Sequence, residues 1–336
     1  MNKIGLIGGG LAVRDLHLPA LSQLGVLADV VYVATSTPES SVRAAEDLRN
    51  LGAENVKPRS VDMILEDPEV THVLIAVPIK CTAKLVRDAI AAGKHILAEK
   101  PISEDREDAI SLLGEAKDAG VKLLAGENFR FQSTYSTVRD LVAEGLIGDV
   151  KIVFWNDLHF TPHNGKYAAT EWRITGEHIG GYLIDGGTHI VAGLRQLREV
   201  PIESVHALST SVQSYLSSQA DTLLINFRYS DGVIGHLALG YGVYDPDARH
   251  PKVLGTEGTL VLRPDGVYLV NSAGENKVGE RDTDQGFLAE WKLFLDGDPN
   301  SLESVHRYTK ESADDLAFIS AALVSAGSGR EIAIDY

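Results

Sequence analysis

Short unbroken apolar runs alternate, through the first third of the chain, with stretches whose apolar residues recur every three or four positions. Ile4-Gly5-Leu6-Ile7 is the first run, and Leu11, Leu16 and Leu21 mark a helical stretch after it. Val30 to Ala34 follows, then a helix from Pro38, a short helical segment Val61 to Leu65, and a fully apolar strand Val73 to Val77. A helix over Thr82 to Ala92 carries Leu85, Val86, Ala89 and Ile90 on one face and stops at Gly93. His95 to Ala98, a helix Glu104 to Ala119 and Val121 to Ala125 complete the alternation. Strands that are apolar throughout are buried on both faces. Their alternation with helices predicts a doubly wound parallel sheet, whose ligand crevice opens at the carboxyl ends of its strands. We assign 1–127 to this domain.

From residue 128 the pattern changes. A helix Thr134 to Glu144 and a strand Asp149 to Trp155 lead to an apolar helical stretch, Ile190 to Leu197. Strand-like runs then dominate: Val205 to Val212, Thr222 to Tyr229, Val233 to Tyr241, Lys252 to Leu254, Thr259 to Leu262 and Val267 to Val270. Asp231-Gly232, Glu257-Gly258 and Asp265-Gly266 supply tight turns, and strands joined by tight turns pair antiparallel. Helices over Phe287 to Leu295 and Ser312 to Ala326 close the chain. Residues 128–336 are therefore expected to form an α/β domain on a large, mostly antiparallel open sheet. With helices on one side, the other side needs a cover, which points to a homodimer or higher homo-oligomer.

Composition narrows the classes. The 336 residues carry a formal net charge of −16, against nucleic-acid or anionic-membrane binding. Cys81 is the single cysteine, so no intrachain disulfide forms. The chain goes directly into its first strand with no signal-like apolar region, and a cytoplasmic location is expected. No His/Cys/Asp grouping has metal-ligand spacing, so no metal is expected.

Chemistry-bearing residues gather at predicted strand ends. Gly8-Gly9-Gly10, between a strand and a helix, sits where a dinucleotide fingerprint belongs. Gly8 and Gly10 fill its first two positions and Val13 stands at the third; Leu11 opens a helix whose free N–H groups suit a phosphate. After the second strand an NAD site places a carboxylate for the ribose hydroxyls, but this chain has Thr35-Ser36-Thr37. These leave room for a 2′-phosphate that Arg43 is positioned to approach, so NADP(H) is favoured over NAD(H). Thr37 also suits the cap of the helix that starts at Pro38. Pro78, Glu99-Lys100 and Asn128 mark further strand ends. Asp185 and His189, four residues apart, share one face of a helix, and Gly186 and Gly187 between them leave room for close ligand approach. His159, His163, Tyr167, Trp172, Arg173 and His178 lie in a polar loop suited to lining a sugar pocket.

Glu99-Lys100-Pro101, with Gly8-x-Gly10 upstream and Asp185-Gly-Gly-Thr-His189 downstream, resembles the Gfo/Idh/MocA oxidoreductases. Glu127-Asn128-Phe129-Arg130, Gly145-Leu146-Ile147-Gly148, Glu171-Trp172-Arg173 and Gly255-Thr256-Glu257-Gly258-Thr259 extend the likeness along most of the chain. Lys166-Tyr167, Trp172-Arg173 and Glu177 to Gly181 look like a fungal, NADP(H)-linked branch. The resemblance implies a Rossmann domain, a second domain that associates through its open sheet, and oxidation of sugar or polyol hydroxyls or reduction of the corresponding carbonyls. It also implies catalytic roles for Lys100, Asp185 and His189; substrate contacts are expected from these and, from the polar loop, from Trp172 and Arg173. The lysine lies 85 residues before Asp185, so the site is expected to draw on both domains. Two departures, Thr82 where His is usual and Ala192 where Asp is common, bear on the substrate.

In oxidation, His189 would take the hydroxyl proton, Lys100 would stabilise the developing alkoxide and Asp185 would bind a neighbouring hydroxyl. Two other classes share this framework. A non-enzymatic NADP-binding sensor or regulator would be expected to lose these side chains, and a lyase or hydrolase using NAD transiently would show no net redox change.

Overall fold

The computed structural model describes residues 2–166, 169–170, 181–213, 215–216, 220–245, 250–281 and 285–336. The chain divides into two compact units, Met1–Phe131 with Asp284–Ala313, and Gln132–Thr283 with Asp314–Tyr336.

The first unit is built on six parallel strands: β1 Ile4–Ile7, β2 Val30–Ala34, β3 Lys57–Pro58, β4 His72–Ile75, β5 His95–Glu99 and β6 Leu123–Gly126. Their spatial order, β3-β2-β1-β4-β5-β6, is that of a doubly wound dinucleotide-binding sheet. Helices α1 Leu18–Gln23, α2 Pro38–Asn50, α3 Val61–Glu66, α4 Ile79–Ala91 and α5 Arg106–Asp118 connect them. The sheet has a separate apolar core on each face, one around Leu6, Leu74 and Leu97, the other around Ile7, Val73 and Ile75. Alternate residues of the same strands thus enter opposite cores, which is why those strands read as continuous apolar runs.

The second half contributes to this unit as well. Helix α9 (Phe287–Leu295) and the start of α10 (Ser301–Ser328) return to it, although 128–336 reads in sequence as one continuous second domain. The reason is the exposed edge of β6. Thr309 Oγ1 accepts from Ala125 N–H at 3.0 Å and donates to Leu123 O at 2.5 Å, doing the work of a missing neighbouring strand. His306 donates to Val121 O at 3.0 Å. Lys122 Nζ donates to Phe294 O at 3.2 Å and Asp296 O at 2.5 Å, satisfying carbonyls that the end of α9 leaves unpaired. Phe287, Trp291 and Phe294 then fill the core around Leu21 and Leu124.

The second unit is a nine-stranded sheet, order β14-β13-β12-β11-β7-β10-β9-β8-β15. Its strands are β7 Val150–Leu158, β8 Ile202–Thr210, β9 Thr222–Tyr229, β10 Ile234–Gly240, β11 Lys252–Gly255, β12 Thr259–Arg263, β13 Gly266–Asn271, β14 Gly274–Glu280 and β15 Ile332–Ala333. All pairs are antiparallel except β10 with β7. The turn expected at Asp231-Gly232 is there, with Gly232 at φ 87°. Strands β14 and β15 lack the alternation that would announce them. Helices α6 Ser133–Ala143, α7 Gly181–Asp185 and α8 Gly187–Leu197 belong to this unit. Gly193 of α8 lets Trp155 and Tyr135 pack closely, since a Cβ there would stand 2.9 Å from the indole. Half-buried Arg195 of α8 meets buried Asp315 of α10 at 2.9 Å and donates to Tyr336 Oη at 2.7 Å.

The other sheet face carries apolar side chains in the open. Leu208 is 63% exposed, Leu224 45%, Ile234 47% and Ile152 37%. Leu208 stands opposite Leu224, and Ile234 opposite Ile152. Among the described residues no helix is long and apolar enough to cross a membrane, and no group of three His, Cys, Asp or Glu could hold a metal ion.

Candidate active site

The glycine turn follows β1 directly. Gly8 has φ 112° and donates to Ala34 O at 2.7 Å; a Cβ there would fall 2.1 Å from the Ala76 carbonyl oxygen. Only glycine fits that position. Gly10 differs, because a Cβ on it would meet nothing within 4 Å. The space beside Gly10 is open, and the helix that begins at Leu11 presents unpaired N–H groups next to it. After two residues the helix widens into a π-helical turn, Val13–His17, before tightening into α1. Val13, in place of the third fingerprint glycine, is wholly buried in this wider turn.

At the end of β2 a cleft of about 410 Å³ is lined by Thr35, Ser36, Thr37 and Ser41 on one side and by Pro58, Arg59 and Ser60 on the other. Its lining holds no carboxylate. Thr37 caps α2, accepting from Ser40 N–H at 3.1 Å, so the hydroxyl run both caps a helix and lines the cleft. Thr35 N–H donates to Ser41 Oγ at 2.9 Å. Arg43 is exposed on α2 and does not line the cleft. The basic group that does is Arg59, its guanidinium 5.1 Å over the Tyr32 ring. Sequence reading passes over Arg59 because it follows a two-residue strand with no periodicity.

Pro78 takes the N-cap position of α4. Glu99 ends β5, and its carboxylate receives a hydrogen bond from His17 at 2.8 Å. Lys100, next in the chain, is 8% exposed. The Asn128 amide donates to Gln285 O at 2.7 Å, tying the end of β6 to the approach to α9. These residues fit a dinucleotide: a glycine turn with open space, donors at a helix start, and a hydroxyl-lined cleft at the next strand end.

In the second unit the backbone stays helical from α7 through Gly186 (φ −88°, ψ −32°) into α8. Gly186 N–H donates to Tyr182 O at 2.9 Å and Thr188 Oγ to Ile184 O at 3.1 Å. Asp185 and His189 therefore stand one turn apart; Asp185 is buried and His189 half-buried. The glycines serve packing rather than ligand approach. A Cβ on Gly186 would lie 2.4 Å from Tyr241 Oη, and one on Gly187 2.6 Å from Leu239. Tyr241 packs against Tyr182 at 5.6 Å and edge-on to His159 at 4.8 Å, and His159 Nδ1 is 3.6 Å from Asp157. His163 stands edge-on to Tyr215. Thr82 and Ala192 are both buried. Tyr167, Trp172, Arg173 and His178 lie outside the described residues.

Comparison with known proteins agrees with this fold. Residues 2–127 match the oxidoreductase family with NAD-binding Rossmann fold, and residues 135–261 match the GFO/IDH/MocA C-terminal domain. A 1,5-anhydro-D-fructose reductase from Ensifer adhaerens is 30% identical over 288 residues, 83% of each chain. Dehydrogenase FPY6 from Fusarium mangiferae is 28% identical over 97% of each. The crystal structure of an oxidoreductase from Thermotoga maritima superposes with a TM-score of 0.85 at 28% identity, over 99% of this chain and 98% of that one. A parallel six-stranded sheet with a glycine turn, a large mostly antiparallel sheet and these matches together make the chain an NAD(P)-dependent oxidoreductase of the Gfo/Idh/MocA family.

Proposed function

We propose that this oxidoreductase interconverts a hydroxyl and a carbonyl on a sugar or polyol and prefers NADP(H). The observation that carries the cofactor preference is the cleft at the end of β2, with hydroxyls, Arg59 and no carboxylate. A 2′-phosphate would meet donors and a positive charge there, whereas a ribose diol lacks its usual carboxylate partner. The substrate class is supported by the relative named for 1,5-anhydro-D-fructose.

When bound, the nicotinamide supplies the place from which, or to which, two electrons move with a hydrogen. His189 takes the hydroxyl proton in oxidation and returns it in reduction. The Lys100 ammonium stabilises the developing alkoxide, and its burial strengthens that effect by excluding water. Asp185 accepts a hydrogen bond from a neighbouring hydroxyl and so orients the substrate.

Titration with NADPH and NADH, followed by a panel of sugar-derived carbonyls, tests the reading. NADPH is expected to bind more tightly. Arg59→Ala should weaken NADPH by about 10- to 100-fold, the worth of one charge-assisted hydrogen bond, and leave NADH unchanged. A wild-type preference for NADH overturns the cofactor assignment; absence of turnover across the panel overturns the substrate class.

The exposed row of Leu208, Leu224, Ile234 and Ile152 supports self-association through the open sheet face. Sedimentation velocity of wild type and of Leu224→Arg/Ile234→Arg tests this. A dimer or larger species is expected for the former and a folded monomer for the latter; a monomeric wild type refutes it.

A further inference from the structure

The first unit buries a carboxyl group that the redox scheme does not use. Glu290 lies on α9 with no exposed surface, and neither of its carboxyl oxygens has a hydrogen-bond partner among the described residues. It shares a helix face with Phe287, Trp291 and Phe294, all buried. The charges that act on it come from Glu99 at the end of β5 and Glu127 just past β6. Lys292, the basic residue of its own helix, is exposed.

Trp291, the next residue, connects this helix to the Lys100 strand end. Its indole N–H donates to His17 Nδ1 at 3.0 Å. An indole nitrogen only donates, so Nδ1 accepts and the ring proton sits on Nε2. That proton is donated to Glu99 Oε1 at 2.8 Å. His17 has no exposed surface, and Phe287 meets its ring edge-on at 5.5 Å. It ends the π-helical turn that follows the glycine loop. One continuous set of contacts therefore joins α9, the glycine-loop helix and Glu99, and Lys100 is covalently next to Glu99.

We propose that Glu290 is a positioning residue for Lys100: as a neutral carboxylic acid it leaves the His17–Glu99 bond intact, and its ionisation dislodges Glu99 and the adjoining lysine. Burial pushes the Glu290 carboxyl well above the usual carboxylate range, and the charges of Glu99 and Glu127 push it the same way. Neither Glu290 oxygen has a hydrogen-bond partner among the described residues to receive a negative charge. The Glu99 side chain is 20% exposed, and His17 holds its Oε1 at 2.8 Å. Displacing a catalytic group by about 1 Å is enough to lower turnover about 100-fold.

The consequence for turnover rests on the role proposed above for Lys100; the protonation state of Glu290 does not. Wild type and Glu290→Gln are to be compared across about pH 5 to 9 by thermal unfolding, by NADPH binding and by steady-state kinetics on a carbonyl found in the panel. Glutamine keeps the shape and cannot ionise. In wild type the folded state holds the Glu290 proton to higher pH than the unfolded chain does. Stability is thus lost as pH rises above the ordinary carboxyl value of 4.5, and the Gln variant escapes that loss. The midpoint of Glu290→Gln is expected to gain progressively on wild type with rising pH. Wild-type kcat should fall about 10- to 100-fold at the alkaline end, with KM less affected, and Gln should flatten that limb. Parallel unfolding curves mean that Glu290 is not held as an acid and overturn the proposal. A widening stability gap with identical kcat profiles overturns the positioning role. If no carbonyl turns over, the substrate reading has failed. NADPH affinity then decides the coupling, which stands if the wild-type affinity weakens with pH more than that of Gln and falls if the two run together.

Discussion

Lys100→Ala and His189→Ala are each expected to lower kcat by about 100- to 10,000-fold, the range for losing a positioned proton-transfer group or an alkoxide stabiliser. The two losses differ in kind. His189 is half-buried on α8, whose helical backbone and packed glycines hold it in place. Its removal should leave NADPH affinity and thermal midpoint unchanged, so the defect is confined to turnover and its pH profile. Lys100 follows Glu99 at the end of β5 and is 8% exposed, so its removal should also weaken cofactor binding. Steady-state kinetics alongside fluorescence titration of NADPH separates the two. Variants with wild-type turnover would remove both residues from the chemistry.

Gly8→Ala and Gly10→Ala should part company, although they sit two residues apart in one turn. At Gly8 an added methyl would fall 2.1 Å from a backbone oxygen of Ala76, at φ 112°. Neither strand end can yield cheaply, and strain of this kind costs about 1–3 kcal/mol before the clash is counted. Gly8→Ala is expected to lower the thermal midpoint and abolish detectable cofactor binding. At Gly10 the methyl meets no protein atom within 4 Å, so the fold should be unchanged within about 0.5 kcal/mol. NADPH affinity should nevertheless fall at least about tenfold, because the methyl occupies the space through which the pyrophosphate approaches the backbone. Thermal unfolding and calorimetric titration of both variants check this. A Gly10→Ala protein that binds NADPH normally would place the pyrophosphate elsewhere.

Much of the candidate site is legible in sequence because its signals are local. A glycine turn between a strand and a helix, a missing carboxylate after the second strand, a lysine at a strand end and two side chains four apart all depend on spacing alone. The approach to the cofactor phosphate is less legible. Arg43 has the right distance along the chain but is not among the residues lining the cleft, while Arg59 lines it from beyond β3. Gly186 and Gly187 read as room for a ligand because sequence does not reveal that Tyr241 and Leu239 fill it. Glu290 did leave a trace, as a carboxylate within the stripe of Phe287, Trp291 and Phe294. Its neighbours, Glu99 and Glu127, lie more than 160 residues away in sequence.

By itself the sequence determined most of the strands and helices, though not β3, β14 or β15, that the first sheet is parallel and the second mostly antiparallel, and where the dinucleotide turn lies. Hydrophobic period and turn chemistry act over a few residues, and the chain records them directly. Only the tertiary structure decided that Asp284–Ala313 joins the first unit rather than the second. That choice follows from an unpaired strand edge: Ala125 and Leu123 need partners, and Thr309 supplies both across 184 and 186 residues. It also decided that the helix so recruited brings Glu290 within reach of the charge on Glu99, next to Lys100, for which we propose a catalytic role. No local pattern encodes such a meeting, because it depends on which distant surfaces remain unsatisfied once the sheets have formed.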